Sequence, residues 1–183
     1  MENNLTKQFV RYGLIVGLLQ VIIAVITYVA GVDTFANHMI LFSVLMLVVA
    51  LAISFVVILG FRKSNGGYMT LKEGFMVTFF TFAIAGLITT VFGIILYQFI
   101  DTEYPKQLAE KITAATQEMM EKFGASQGDI EKAMERQGDM SEKFTVAGQI
   151  RSYLFGLIAY AIYAVILGAI FKRSKPPFEE QVN

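Results

Sequence analysis

Four stretches of this 183-residue chain contain no Asp, Glu, Lys, Arg or His. They run over 12–32, 39–61, 75–100 and 152–171, and are 21, 23, 26 and 20 residues long. A helix needs about 20 mostly apolar residues to cross a bilayer, and a helix satisfies its own backbone there. A chain that gives half its length to such stretches does not fold as an ordinary water-soluble domain. Charged residues make up 16% of it, against about 25% in a typical soluble domain. With equal numbers of acids and bases, a nucleic-acid binder is excluded, since that class shows a basic surface. Without Cys, a disulfide scaffold or thiolate metal site is excluded too. The first stretch exceeds the 7–15 residues of a signal-peptide core and lacks a good small-residue cleavage site, so it reads as a span.

Lys and Arg near the span ends orient such a protein. The N-terminal tail carries Lys7 and Arg11, the loop after the second span Arg62, Lys63 and Lys72, and the C-terminal tail Lys172, Arg173 and Lys175. In a four-span topology these segments share one side. The short opposite loop, 33–38, has none, and the long loop 101–151 balances seven bases with ten acids. Both termini are therefore expected in the cytoplasm and the long loop outside. The net charge of zero then divides into +4 inside and −4 outside.

The long loop reads as an amphipathic helical hairpin. Over 105–124, Leu108, Ile112, Ala115, Met119 and Phe123 recur at steps of three and four, a one-sided helical stripe. Pro105 suits a helix start and Gly124 a stop. Ser126-x-x-Asp129 resembles a capping box opening a second helix with Ile130 and Met134, and Gly138 weakens its continuation. These stripes can pack on each other, on the membrane surface or on a partner protein. Leu108, Ile112, Met119, Phe123, Ile130 and Met134 form the expected partner face. Met119, Met120, Met134 and Met140 suit an adaptable surface.

Thr70-x-x-Glu73 ahead of the third span is a capping box, and Gly66-Gly67 supplies the turn before it. The third span leaves as Tyr97-Gln98-Phe99-Ile100-Asp101-Thr102-Glu103-Tyr104-Pro105, where Asp101 or Thr102 can end one helix and cap the next. The order of four spans, the GGYMTLKEGF entry and the YQFIDTEYP exit resemble a family of bacterial membrane proteins catalogued as domain of unknown function 4199 and common in Bacteroidota. The resemblance covers about residues 7–173. Where the family's exit reads closer to Ile-Asp-Pro, this chain has Ile100-Asp101-Thr102, with the proline at Pro105. The resemblance implies an integral inner-membrane protein and brings no catalytic residues with it.

Inside the spans the polar groups cluster by depth. Gln20, Thr89, Thr90, Tyr160 and Tyr163 all lie near span centres. Each needs a hydrogen-bond partner in hydrocarbon. Gln20, one tyrosine and one threonine are expected to share a buried layer that glues helices together or, in the sharper alternative, holds a solute. Gly13-x-x-x-Gly17 and Ala164-x-x-x-Gly168 permit close helix contact. His38 and Asp33 are too few for a metal site. Sequence patterns of metalloproteases and serine hydrolases are absent, and Ser43 and Ser54 have no base in their spans. The chain thus reads as all-α: an integral membrane four-helix bundle over residues 1–183, with 101–151 inserted as an extracytoplasmic hairpin. No catalytic, metal or cofactor site is expected. Its expected partners are the lipid bilayer and an envelope protein or a second copy, with no nucleic acid. The leading expectation is a non-catalytic subunit or scaffold, the alternative a small transporter or channel-like oligomer.

Overall fold

The computed structural model describes residues 2–174, with side chains from Leu5 onward. Lys175 and the Glu179-Glu180 pair lie outside the described residues. Among the described residues seven α-helices follow one another: α1 (Glu2–Ala30), α2 (Val32–Asn37), α3 (Met39–Ser64), α4 (Leu71–Ile95), α5 (Tyr104–Lys122), α6 (Gln127–Gln137) and α7 (Val146–Phe171). A π-helical turn, Leu96–Ile100, prolongs α4, and a 3-10 turn, Met140–Phe144, precedes α7. Four stretches are long and apolar enough to cross a membrane: Leu5–Ala30, Met39–Ser64, Leu71–Ile100 and Val146–Phe171. They leave Val29, Leu41, Val56 and Phe155 exposed, and large apolar side chains stand open on every span, as they do not on water-soluble monomers. The protein is an all-α, multi-pass membrane protein.

The helices differ from the uncharged stretches at their ends, some for local reasons and one through tertiary packing. The first stops at Ala30 because Gly31 takes φ 87°, so Val32 opens α2 instead of closing the span. It starts ten residues before Tyr12, since Leu5 and Phe9 pack into a core despite the charges at Lys7 and Arg11. The second runs on to Ser64. The third begins at Leu71, just after the cap residue Thr70, and reaches Ile100. Its 30 residues rise about 45 Å, against a hydrocarbon core of about 30 Å. The fourth starts at Val146 because Thr145 Oγ1 accepts the Gly148 amide at 3.0 Å and caps it.

The chain forms two compact units, and each long helix contributes to both. The first takes residues up to Gln20, Leu47–Thr89 and those from Tyr153 onward. Its core is Leu5, Val57, Ile58, Phe61, Met69, Val77 and Leu167. Small residues let its helices approach. A Cβ at Gly13 would lie 2.7 Å from Ile84 Cβ, and one at Gly74 would lie 2.9 Å from Gly168 Cα. Both small-residue patterns are therefore engaged within the chain, α1 on α4 and α7 on α4. The capping box closes the start of α4: Thr70 N donates to Glu73 Oε2 at 2.7 Å, and Glu73 N to Thr70 Oγ1 at 3.2 Å. Met69 and Arg173 exchange both backbone hydrogen bonds, at 2.9 and 2.8 Å. That bridge fastens the segment after α7 to the loop before α4.

The second unit takes Val21–Met46 and Thr90–Ser152. Here α5 packs against α2, α6 and the 3-10 turn. Its core is Val32, Tyr104 and Leu108, surrounded by Tyr28, Phe35, Tyr97, Ile112 and Phe144. Gly124 at φ 79° turns the chain out of α5, and Ser126 Oγ accepts the Asp129 amide to start α6. Gly138 at φ 64° ends α6 after three turns, so Met140 and Phe144 fall on the 3-10 turn and not on a continued stripe. The loop is thus helical twice over.

Candidate functional site

The polar groups near the span centres separate into pairs. Thr89 Oγ1 donates to Gln20 Oε1 at 2.9 Å, joining α4 to α1. Tyr163 OH donates to Ser54 Oγ at 2.9 Å, joining α7 to α3. Tyr160 stands over Gly86, where a Cβ would meet its hydroxyl at 3.2 Å, and packs on Phe82. Thr90 falls to the other unit. One shared layer of glutamine, tyrosine and threonine is therefore not what forms: the amide meets a threonine, and the tyrosines are engaged elsewhere. The reason is geometric. Tyr160 and Tyr163 both pack on Phe82, but the Tyr160 hydroxyl stands over Gly86 of α4 and the Tyr163 hydroxyl reaches Ser54 of α3. Sequence inspection also gave Ser54 no role, yet it is fully buried as the acceptor of Tyr163.

The most connected polar site lies at the exit of α4. The π turn closes with Asp101 N donating to Leu96 O at 2.8 Å, after which Asp101 becomes extended. Its Oδ1 accepts the amides of Tyr104 at 2.9 Å and Glu103 at 3.2 Å, which caps α5. Its Oδ2 accepts the Tyr28 hydroxyl at 3.0 Å, which ties that cap to α1. These donors hold the Asp101 carboxyl below the usual carboxylate range, the Tyr104 amide foremost and the Tyr28 hydroxyl next. Three aromatic rings close around it: Tyr28 and Tyr104 edge to face at 4.8 Å, Tyr97 and Tyr104 stacked at 6.1 Å. Burial pushes the Tyr104 hydroxyl up to about 12, so it stays protonated and uncharged in ordinary conditions.

Beside it the other end of the segment is fastened by one carbonyl. Phe144 O accepts from Gln98 Nε2 and Gln149 Nε2, both at 3.1 Å, and the Phe144 ring meets Tyr97 edge to face. The capping role of Asp101 was readable in the exit motif. The Tyr28 partner was not, because 73 residues separate the two. The available signal was topological: the first and third spans leave on the same side, which brings a span-end tyrosine near a span-end acid. Lys111 Nζ also reaches Asp33 Oδ1 at 2.6 Å, and that bond raises the lysine's affinity for its proton.

The stripe expected as a partner face is divided. Leu108 and Ile130 are buried within the unit, so neither is free to meet a partner. Ile112, Met119 and Met134 are half-buried, and Phe123 is 82% exposed. Leu108 and Ile112 lie against the core built on α2, which occupies the part of the stripe nearest Asp101. Among the described residues, no group of three or more His, Cys, Asp or Glu is placed to hold a metal ion. His38 is exposed, its Nδ1 3.0 Å from Thr34 O.

Two open clefts flank α5. One, of about 650 Å³, lies between its far end and the start of α3, with Leu41, Val44, Met119, Lys122 and Phe123 in its walls. The other, of about 640 Å³, lies on its opposite side against the 138–141 turn. Lys106, Glu110, Gln117 and Asp139 give that second cleft polar walls, and Ala109, Ala114 and Met140 give it an apolar floor.

No curated protein and no solved structure matches the chain. A family model described as "Protein of unknown function (DUF4199)" matches residues 11–173, spanning all four membrane helices and the segment between the third and fourth, and the chain belongs to that family.

Proposed function

We propose that this protein is a non-catalytic subunit or scaffold of the bacterial inner membrane. Both termini lie in the cytoplasm, and the α5–α6 hairpin stands on the outer side to contact another envelope component. The uneven distribution of Lys and Arg supports that orientation. The observation that carries the contact role is the cleft between α5 and the 138–141 turn. It faces away from the stripe that α5 uses for its own packing. It combines a methionine and small apolar residues with a polar rim, as interaction surfaces do. Asp101, Phe144 and their partners hold both ends of the hairpin in place, which presents the cleft on a fixed support.

A mild-detergent pull-down with mass spectrometry tests this, using the intact protein, a deletion of 105–145 and the double variant Ala114→Arg, Gln117→Arg. Ala114 and Gln117 are exposed, so the double variant fills the cleft without disturbing a core. Loss of a reproducible partner, or of self-association, from both altered proteins supports the proposal. Equal recovery from all three overturns it. The transporter alternative has less support, because Gln20 and Thr89 bond each other, and Tyr163 bonds Ser54, leaving these groups engaged among themselves.

A further inference from the structure

The cleft at the far end of α5 is on the opposite face of that helix from the contact cleft and stands apart from the function proposed above. The residues Tyr104, Leu108, Ile112, Ala115, Met119 and Phe123 form one stripe along α5 and its last turn. The near half is covered by protein: Tyr104 and Leu108 are buried in the core with Val32. The far half leaves that cover. Ala115, Met119 and Phe123 face the cleft, whose other wall is Met39, Ile40, Leu41 and Val44 at the start of α3. Phe123 is 82% exposed and Leu41 65% exposed. In water such a ring would stay uncovered at a cost, since burying a Phe side chain is worth about 1.5–3 kcal/mol.

We propose that this cleft seats a phospholipid of the adjoining leaflet, one with a zwitterionic headgroup such as phosphoethanolamine. Three observations lead to that occupant. First, the α3 wall belongs to a membrane-crossing helix, so the surface that acyl chains cover runs straight into the cleft. Second, the cleft is open and holds about 650 Å³, room for a headgroup and the upper part of an acyl chain while the rest of the lipid stays in the bilayer. Third, the rim carries one charge of each sign: Lys122 Nζ and Glu118 Oε1 are paired at 2.7 Å, and both side chains remain open to solvent. Lys122 suits a phosphate and Glu118 an ammonium. An anionic headgroup would satisfy the first and repel the second, on a hairpin that already carries an excess of three acids. The acyl chain then lies against Phe123, Met119, Leu41 and Val44.

The chain contains no Trp, so Phe123→Trp places a single reporter in the cleft. The full-length variant is reconstituted in phosphatidylethanolamine vesicles doped with phosphatidylcholine brominated near the carboxyl end of its acyl chains. Val29→Trp, exposed at the same end of the first span and outside the cleft, serves as the lipid-facing reference and Glu131→Trp, on the exposed side of α6, as the water-facing one. Quenching of Phe123→Trp close to that of Val29→Trp, and several-fold above Glu131→Trp, is the expected result. Quenching no greater than that of Glu131→Trp overturns the proposal. So does a blue-shifted but unquenched signal, which would mean that protein covers the site. For the headgroup, native mass spectrometry from an equal mixture of phosphatidylethanolamine and phosphatidylglycerol vesicles should show several-fold preferential retention of the former. Glu118→Lys should reverse the preference. Equal retention of both lipids by the wild type overturns the headgroup assignment.

Discussion

The two units are held together by different means. In the first, the contacts that matter are places where side chains are missing: Gly13 against Ile84, Gly74 against Gly168, Gly86 beneath Tyr160. In the second, they are large rings gathered around a carboxylate: Tyr28, Tyr97 and Tyr104 about Asp101. The difference follows from what each set of helices is made of. Between apolar helices in lipid, one hydrocarbon neighbour is as good as another, so association depends on close backbone approach and a few hydrogen bonds. The second unit includes α5, which is too rich in charge to cross a bilayer, and α6, which is both charged and too short. There, withdrawing aromatic surface from water supplies the driving force, and the acid fixes the geometry.

Tyr104→Ala is the largest test of that contrast. It empties the centre of the second core and should cost about 3–5 kcal/mol by analogy with other buried aromatic truncations. Hydrogen exchange should show protection lost across 104–122 while α3 and α7 keep theirs within the first unit. Loss of protection throughout would show that the units do not act separately. Gly17→Leu is the counterpart in the first unit. A Cβ there would already lie 2.6 Å from Ile88 Cδ1 and 3.2 Å from Ala85 Cα. Overpacking of about 1–3 kcal/mol is expected, read as a lower melting temperature in detergent with the α5 amides least affected.

In the second unit acid should act through Asp101. Asp101 titrates lower when folded than when unfolded. Its stabilising effect is therefore complete above the ordinary aspartate value of about 4 and is lost as pH falls through its depressed folded value. The protection factor of the Tyr104 amide, its exchange taken relative to the intrinsic rate at each pH, should fall below about pH 4, and Asp101→Asn should remove that acid dependence. A pH response that persists in Asp101→Asn would assign it to another group. A smaller effect is expected from Gln20→Leu, which takes away one interhelical hydrogen bond worth about 0.6 kcal/mol on average in membranes. Smallest of all is Lys111→Ala. Its ion pair with Asp33 is solvent-exposed, and such pairs contribute little. Equilibrium unfolding should barely register it.

How much of this was legible beforehand depended on whether the cause was local. The spans follow from runs of uncharged residues, and Thr70, Glu73 and Ser126 announce their caps within four positions. Gly124 and Gly138 mark their stops for the same reason. Helix ends were less accurate where tertiary contact overrode composition. Leu5 and Phe9 carry α1 past two charged residues, and Gly31 ends it inside an apolar run. Pairings across the fold were harder to read. Mid-span depth put Gln20 at the level of both Thr89 and Thr90 without choosing between them. Tyr163 with Ser54 and Tyr28 with Asp101 were not anticipated, since depth fixes only which residues share a level and not which faces meet. Division of the α5 stripe into covered and open halves was invisible for a related reason. It depends on where α2 ends.

The π turn before Asp101 gives the chain an intolerance of its own. Such a turn is what an α-helix becomes when it takes in one extra residue. Removing any one residue from 96–100 would let the helix close as an ordinary α-helix, with no gap and no strain to mark the loss. Everything downstream would then be swung by about 100° around the axis. Asp101 would point away from Tyr28, and α5 would leave in a new direction. A substitution at Phe99 or Ile100, both exposed, should pass almost unnoticed, whereas a single deletion beside them would undock the hairpin. At this junction the number of residues matters more than which residues they are.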